Sequence, residues 1–171
     1  MSFKHSAIDE LKTRAQILKR QHHNAQNGAL ARVEAQLKKA SPQPPEKLLH
    51  KQALLTVARE SGFMSWQQAL QVLSGQVQPG DNFGEFWYSP NTMSTLNHWC
   101  TSYAEAKAIH QQRGGYLIPY KTQFAVVATA YIETIGLAQQ GEYWQQLAHD
   151  LSHSPQGEQQ SVAYQHLVKQ R

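Results

Sequence analysis

The stretch Tyr116-Leu117-Ile118-Pro119-Tyr120-Lys121-Thr122-Gln123-Phe124-Ala125-Val126-Val127 decides whether this chain is all helical. Tyr116, Ile118, Tyr120, Phe124 and Val126 keep one parity along it, the period of two that sets side chains on one face of a half-buried strand. Pro119 has no amide to donate, so the strand must lie at a sheet edge or carry a bulge there. The chain therefore holds sheet as well as helix.

Helical and turn signals surround this strand. Upstream, Ser102 and Glu105 form a capping box for a helix through Ala106 and Ile109, which Gly114-Gly115 ends. Residues 95–100 read as a second short strand, and Phe83, Phe86, Trp87 and Tyr88, before Ser89-Pro90-Asn91, read as another strand and a turn. Downstream, a short helix near residues 130–135 stops at Gly136, and Tyr143, Trp144, Leu147 and Leu151 mark one that stops before Pro155. From Gln156 the chain is glutamine-rich; Val162, Leu167 and Val168 permit a final helix or a frayed tail.

The N-terminal part is helical throughout. Ser6 and Asp9 give an N-cap pattern, and Ile8, Leu11, Ala15 and Leu18 then recur at steps of three and four until the polar Gln21-His22-His23-Asn24. Gly28 offers a break before Leu30, Val33 and Leu37 resume the spacing. Ser41-Pro42-Gln43-Pro44-Pro45 stops that second helix, and Pro45 suits the first turn of a third through Leu48, Leu49, Ala53, Leu54, Val57 and Ala58. Gly62 caps the third, and Ser65 with Gln68 opens a fourth carrying Trp66, Ala69, Leu70 and Leu73. The turn-forming, aperiodic residues 74–82 read as a linker. The expected organisation is a four-helix layer (residues 1–73) packed with a small α+β domain (residues 83–171) of two or three short strands.

Across 171 residues, 40% are hydrophobic and 16% charged, which excludes a solvated disordered chain. No apolar run approaches a transmembrane span, and the opening Met1-Ser2-Phe3-Lys4-His5 leads into a polar amphipathic stretch, so a soluble, cytoplasmic protein with no membrane partner is expected. One cysteine, Cys100, excludes an intrachain disulfide and a cysteine-based zinc finger. The formal charge of +4 is uneven: residues 1–73 hold eleven Lys or Arg against five Asp or Glu, and residues 74–171 hold five against seven, giving +6 and −2. Such a basic half is either a solvated helix surface or a polyanion-binding face.

Residues 49–70 carry His50, Gln52, Leu54, Ala58, Gly62, Phe63, Trp66 and Leu70 in the order His-x-Gln-x-Leu followed by Gly-Phe-x-x-Trp. This resembles the small helical module at the N-terminus of some bacterial proteins labelled glyoxalase-superfamily, and of other uncharacterised bacterial proteins. The resemblance covers about a quarter of the chain and carries no glyoxalase chemistry over, because the metal-binding βαβββ pairs of that fold have no counterpart in the C-terminal residues. Packing alone explains the pattern: Leu54 and Ala58 share a helical face, Gly62 turns the chain, and Phe63 and Trp66 fill the corner.

Three groups of residues could carry chemistry or binding. His149 and His153, four apart with Asp150 between them, approximate a helical zinc pair, with Asp where the zincin general base is Glu; the bland reading is a polar helix end. His98 and Cys100 share a strand face and would be base and nucleophile; a free cysteine is most often a small buried hydrophobe. For binding, Lys12 and Lys19 share a face seven residues apart with Arg20 beside them, and Trp87 and Trp99 stand among the aromatics that form either core or partner surface. No acid, base, nucleophile and oxyanion donor converge, so the expected function is a non-catalytic binding or interaction module with a protein partner and no cofactor. The alternatives are a zinc-dependent hydrolase using His149 and His153, and weak, non-specific nucleic-acid binding no tighter than ~10⁻⁶ M at physiological salt.

Overall fold

The computed structural model describes residues 6–37, 45–90, 98–138, 141–152 and 158–170, the side chains at 27 and 158–160 excepted. Helix α1 (Ala7–His23) opens with the Ser6 hydroxyl accepting from the Ile8 amide at 3.2 Å and buries Ala7, Leu11, Ala15 and Leu18. It runs on through the polar residues where the spacing predicted an end, because His22 continues the stripe of Leu11, Ala15 and Leu18 and is buried with it. The chain turns at Ala25, φ +52°, and α2 (Asn27–Leu37) starts ahead of Gly28, which thus lies inside a helix instead of breaking one.

Helix α3 (His50–Glu60) begins later than Pro45 predicts, with Leu49 at the N-cap and no side chain capping it. It ends at Ser61 and Gly62, whose φ of +89° lets the chain double back. Ser65 caps α4 (Trp66–Leu73) by accepting from the Gln68 amide at 3.1 Å, but the Gln68 side chain does not close a capping box. Instead its Oε1 accepts from the Met64 amide at 2.7 Å and its Nε2 donates to the Asn82 carbonyl at 3.0 Å. Residues 74–82, which read as a linker, are thereby fastened to α4.

The expected strand at residues 83–88 is a run of turns. Phe83, Phe86 and Trp87 are buried at steps of three and one, which a turn of helix-like backbone satisfies and an alternating strand does not. Gly62 and Gly84 allow that segment to lie against α3: the Glu85 amide donates to the Gly62 carbonyl at 2.7 Å. Strand β1 (His98–Cys100) follows, then α5 (Tyr103–Arg113), capped by Ser102 and ended at Gly114.

The deciding stretch is a hairpin. Strand β2 (Tyr116–Tyr120) and β3 (Gln123–Val127) pair antiparallel about Lys121-Thr122, with Pro119 opposite Phe124. The sheet order is β1-β3-β2, so Pro119 lies on an edge strand as its missing amide requires. The Leu117 amide and carbonyl, two residues back, bond outward to His149 and Leu151 at 2.9 Å each. Helix α6 (Thr129–Thr134) stops before Gly136, and α7 (Glu142–Gln146) is shorter than predicted: Ala148 and His149 adopt left-handed φ of +50° and +56°. The final segment is helical, α8 (Glu158–Lys169), and buries Val162, Ala163, His166 and Leu167.

The result is an α+β fold in which α8 packs on α1, α4 and α7, and one hydrophobic cluster runs from Ala7 to Leu167. Arg14 joins the two ends of the chain, donating to Glu10 Oε1 at 2.9 Å and to the Leu167 carbonyl at 2.5 Å. Among the described residues, no helix is long and apolar enough to cross a membrane.

Candidate ligand-binding groove

A groove of about 980 Å³ opens where the C-terminal end of α1 meets the segment entering α3. That volume lies at the upper end of the range of small-molecule sites. Lys19, Arg20, His22 and His23 come from the last turns of α1, and Lys47 and His50 from the other wall, with buried Leu48 between them. Three unit cations and one carboxylate, Glu46, line it, and among the described residues Lys19, Arg20 and Lys47 have no ion-pair partner. The basic end of α1 complements the carbonyls of its last turn, which explains Arg20, His22 and His23 in part. It does not explain Lys47 and His50, which approach from a different segment.

His22 is the unusual member. It is 6% exposed, and its Nε2 has no hydrogen-bond partner among the described residues. A buried polar atom left so costs roughly 1–3 kcal/mol, so a histidine in this apolar stripe works against the stability of the fold. Opposite it, α3 starts without a side-chain cap; Gln52 Oε1 accepts only from the Leu49 amide, at 2.9 Å. Amides in the first turn of a helix are donors in want of an acceptor, and the helix dipole favours an anion there.

The residues singled out by sequence fall in different places. Lys19 and Arg20 are on the groove. Lys12 is an exposed cation 3.6 Å from Asp9, on the same helix but outside the groove lining. Trp87 is 1% exposed, with its backbone carbonyl accepting from the Tyr131 hydroxyl at 2.7 Å, so it belongs to the core and offers no partner surface. Trp99 is 48% exposed on β1, its ring edge-on to Tyr120 at 5.5 Å, and Tyr120 in turn packs on Tyr88 at 4.9 Å.

His98 and Cys100 flank Trp99 on β1. The His98 ring is engaged elsewhere, its Nε2 3.1 Å from Arg113 Nη1, which as a guanidinium donates. Cys100 is buried, and burial together with the Glu105 carboxylate pushes its thiol up, away from the thiolate a nucleophile needs.

His149 is not on a helix. It sits in the left-handed turn after α7, so helical spacing does not relate it to His153, which lies outside the described residues. Its ring packs on Tyr116 and Trp144, and burial, then the neighbouring His110, holds it below the ordinary histidine range. Asp150 takes the Tyr103 hydroxyl at 2.7 Å, Lys107 at 3.4 Å and the Ser152 amide at 2.8 Å, tying α5 to that turn. Among the described residues no group of three His, Cys, Asp or Glu is arranged to hold a metal ion.

A second concavity, about 720 Å³, lies between α6 and α8, lined by Glu133, Leu137, Tyr164, Val168 and Lys169. Its one acid and one base balance, and among the described residues no orphaned polar atom faces it, so the groove at α1 is the stronger site. Sequence reading found Lys19 and Arg20 but not His22, His23, Lys47 or His50. The signal was there for one of them: His22 stands four residues after Leu18, in line with the buried stripe. No protein family, curated protein or solved structure matches the chain.

Proposed function

We propose that this protein is a non-catalytic binding module whose ligand occupies the groove between the end of α1 and the start of α3. The observation that carries the reading is His22, buried, with Nε2 lacking a partner among the described residues, in a wall that also holds Lys19, Arg20 and Lys47, none of them in an ion pair among those residues. Ligand sites keep such unsatisfied groups because the ligand completes them. The raised thiol of Cys100 and the occupied His98 ring favour binding over nucleophilic chemistry. A protein partner would meet the exposed Trp99 on β1 and not the buried Trp87.

The test is a thermal-shift screen of a mixed metabolite library against the wild type and Lys47→Trp, which fills the groove from an exposed wall position. Compounds that raise the melting temperature of the wild type but not of the variant are expected. Hits unaffected by Lys47→Trp would place the ligand elsewhere. Zinc analysis on tag-free protein runs beside it, and stoichiometric zinc lost in His149→Ala would restore the zinc-dependent hydrolase.

A further inference from the structure

We infer that the groove recognises a phosphomonoester, a compact metabolite carrying a terminal phosphate; the inference rests on the groove being the ligand site. The chemistry converges from both walls. Lys19 and Arg20 on one side and Lys47 on the other give three unit charges against Glu46, a net +2 that matches a phosphate dianion. Lysine serves as a point charge for phosphate and arginine as a planar fork of donors, so the set suits a tetrahedral anion with several acceptor oxygens.

Two further features select phosphate over a single carboxylate. Helix α3 presents its first turn, whose N-cap Leu49 has no side chain to bond the turn's amides, beside Lys47, where the helix dipole adds to the positive field. His22 lines the groove with a buried nitrogen, Nε2, that has no partner among the described residues and that a phosphate oxygen would satisfy. His23 and His50 line the groove from opposite walls and offer further ring nitrogens. A groove of about 980 Å³ exceeds what inorganic phosphate fills, so the phosphate brings an organic body with it.

Nucleic acid is the weaker fit. A polyanion tract needs a stripe of cations along a face, whereas Lys12 is beside Asp9 and Arg14 is spent on Glu10 and the Leu167 carbonyl. What remains is a local cluster around a concavity, the size of one phosphate group and its substituent.

The test is calorimetric titration of the full chain with matched probes: adenosine 5′-monophosphate and adenosine, glucose 6-phosphate and glucose, inorganic phosphate, and a single-stranded oligonucleotide at two salt concentrations. Each is repeated with the Lys19→Met/Lys47→Met double variant and with Lys121→Met, a control on the β2–β3 turn. Expected is millimolar or tighter binding of at least one phosphorylated probe, at least tenfold weaker for its dephosphorylated partner and for the double variant, and unchanged in Lys121→Met. Equal binding of a neutral partner would keep the groove as the site and overturn the phosphate. Phosphate binding that the double variant leaves intact would overturn the groove itself. Failure of every phosphorylated probe, or a single-stranded oligonucleotide bound more tightly than all of them with a steep salt dependence, would overturn the inference.

Discussion

At the scale of single residues, two glycines separate backbone need from open space. A Cβ at Gly62 would meet the Glu85 carbonyl carbon at 2.8 Å and the Phe86 amide nitrogen at 2.9 Å, and its φ is +89°. Neither atom can retreat without moving the buried turn at residues 83–88, so Gly62→Ala should destabilise by at least ~2 kcal/mol in urea unfolding. Gly28, inside α2, has nothing within 4 Å of its Cβ position, and Gly28→Ala should stabilise by up to ~1 kcal/mol. His166 sets a pH dependence. Its Nδ1 lies 2.8 Å from the Ile135 carbonyl and its Nε2 2.9 Å from that of Phe86, and a neutral ring has one N–H for the two. Burial nonetheless dominates and holds the ring below the ordinary value of 6.5, with the carbonyls opposing it and the Arg14 cation assisting. The unfolded chain therefore takes up the proton first on acidification, and stability present above about pH 6.5 is lost as pH falls through it. The urea midpoint should drop between about pH 7.5 and 5.5, and His166→Gln should shallow that drop without abolishing it, because His149 is shifted in the same direction.

At the scale of elements, Arg14 is the clasp between α1 and α8. Arg14→Met removes the donor at the Leu167 carbonyl and the cation at Glu10, and should cost roughly 1–3 kcal/mol, with amide exchange in α8 accelerating ahead of the remaining helices. Elements whose signals are local could be read directly: the Ser65 and Ser102 caps, the stop at Gly114 and the edge position of Pro119 all lie where the sequence points. The hairpin turn could not, because Lys121-Thr122 has none of the glycine or asparagine that two-residue turns favour. It is held from outside, by the Lys121 amide donating to Gly84 and the Lys121 carbonyl accepting from Phe83. The aromatic run failed for the opposite reason: β propensity at Phe83, Phe86 and Trp87 outweighed a spacing that was never alternating. In the groove, the two walls are separated by α2 in the chain, so no window of sequence brings His22 and Lys47 together.

At the scale of the whole molecule, the helical N-terminal part and the sheet share one buried cluster, completed by a C-terminal helix that reaches back to α1. A fragment ending at Gly75 keeps α1 to α4 but loses the cover that α8 gives α1 and α4, and small helical units are marginal alone. It should show no sharp thermal transition, while the full chain melts in one. The same architecture explains why a groove forms at the end of α1 furthest from Ser6: the helix is anchored along its length, and its last turn brings basic side chains beside the start of α3. The most direct measurement is imidazole NMR on histidine-labelled protein during titration with the phosphorylated probe. The ring signals of His22, His23 and His50 should move together and saturate with one dissociation constant, while those of His98, His149 and His166 stay in place. Movement confined to the latter three, or none at His22, would contradict the account.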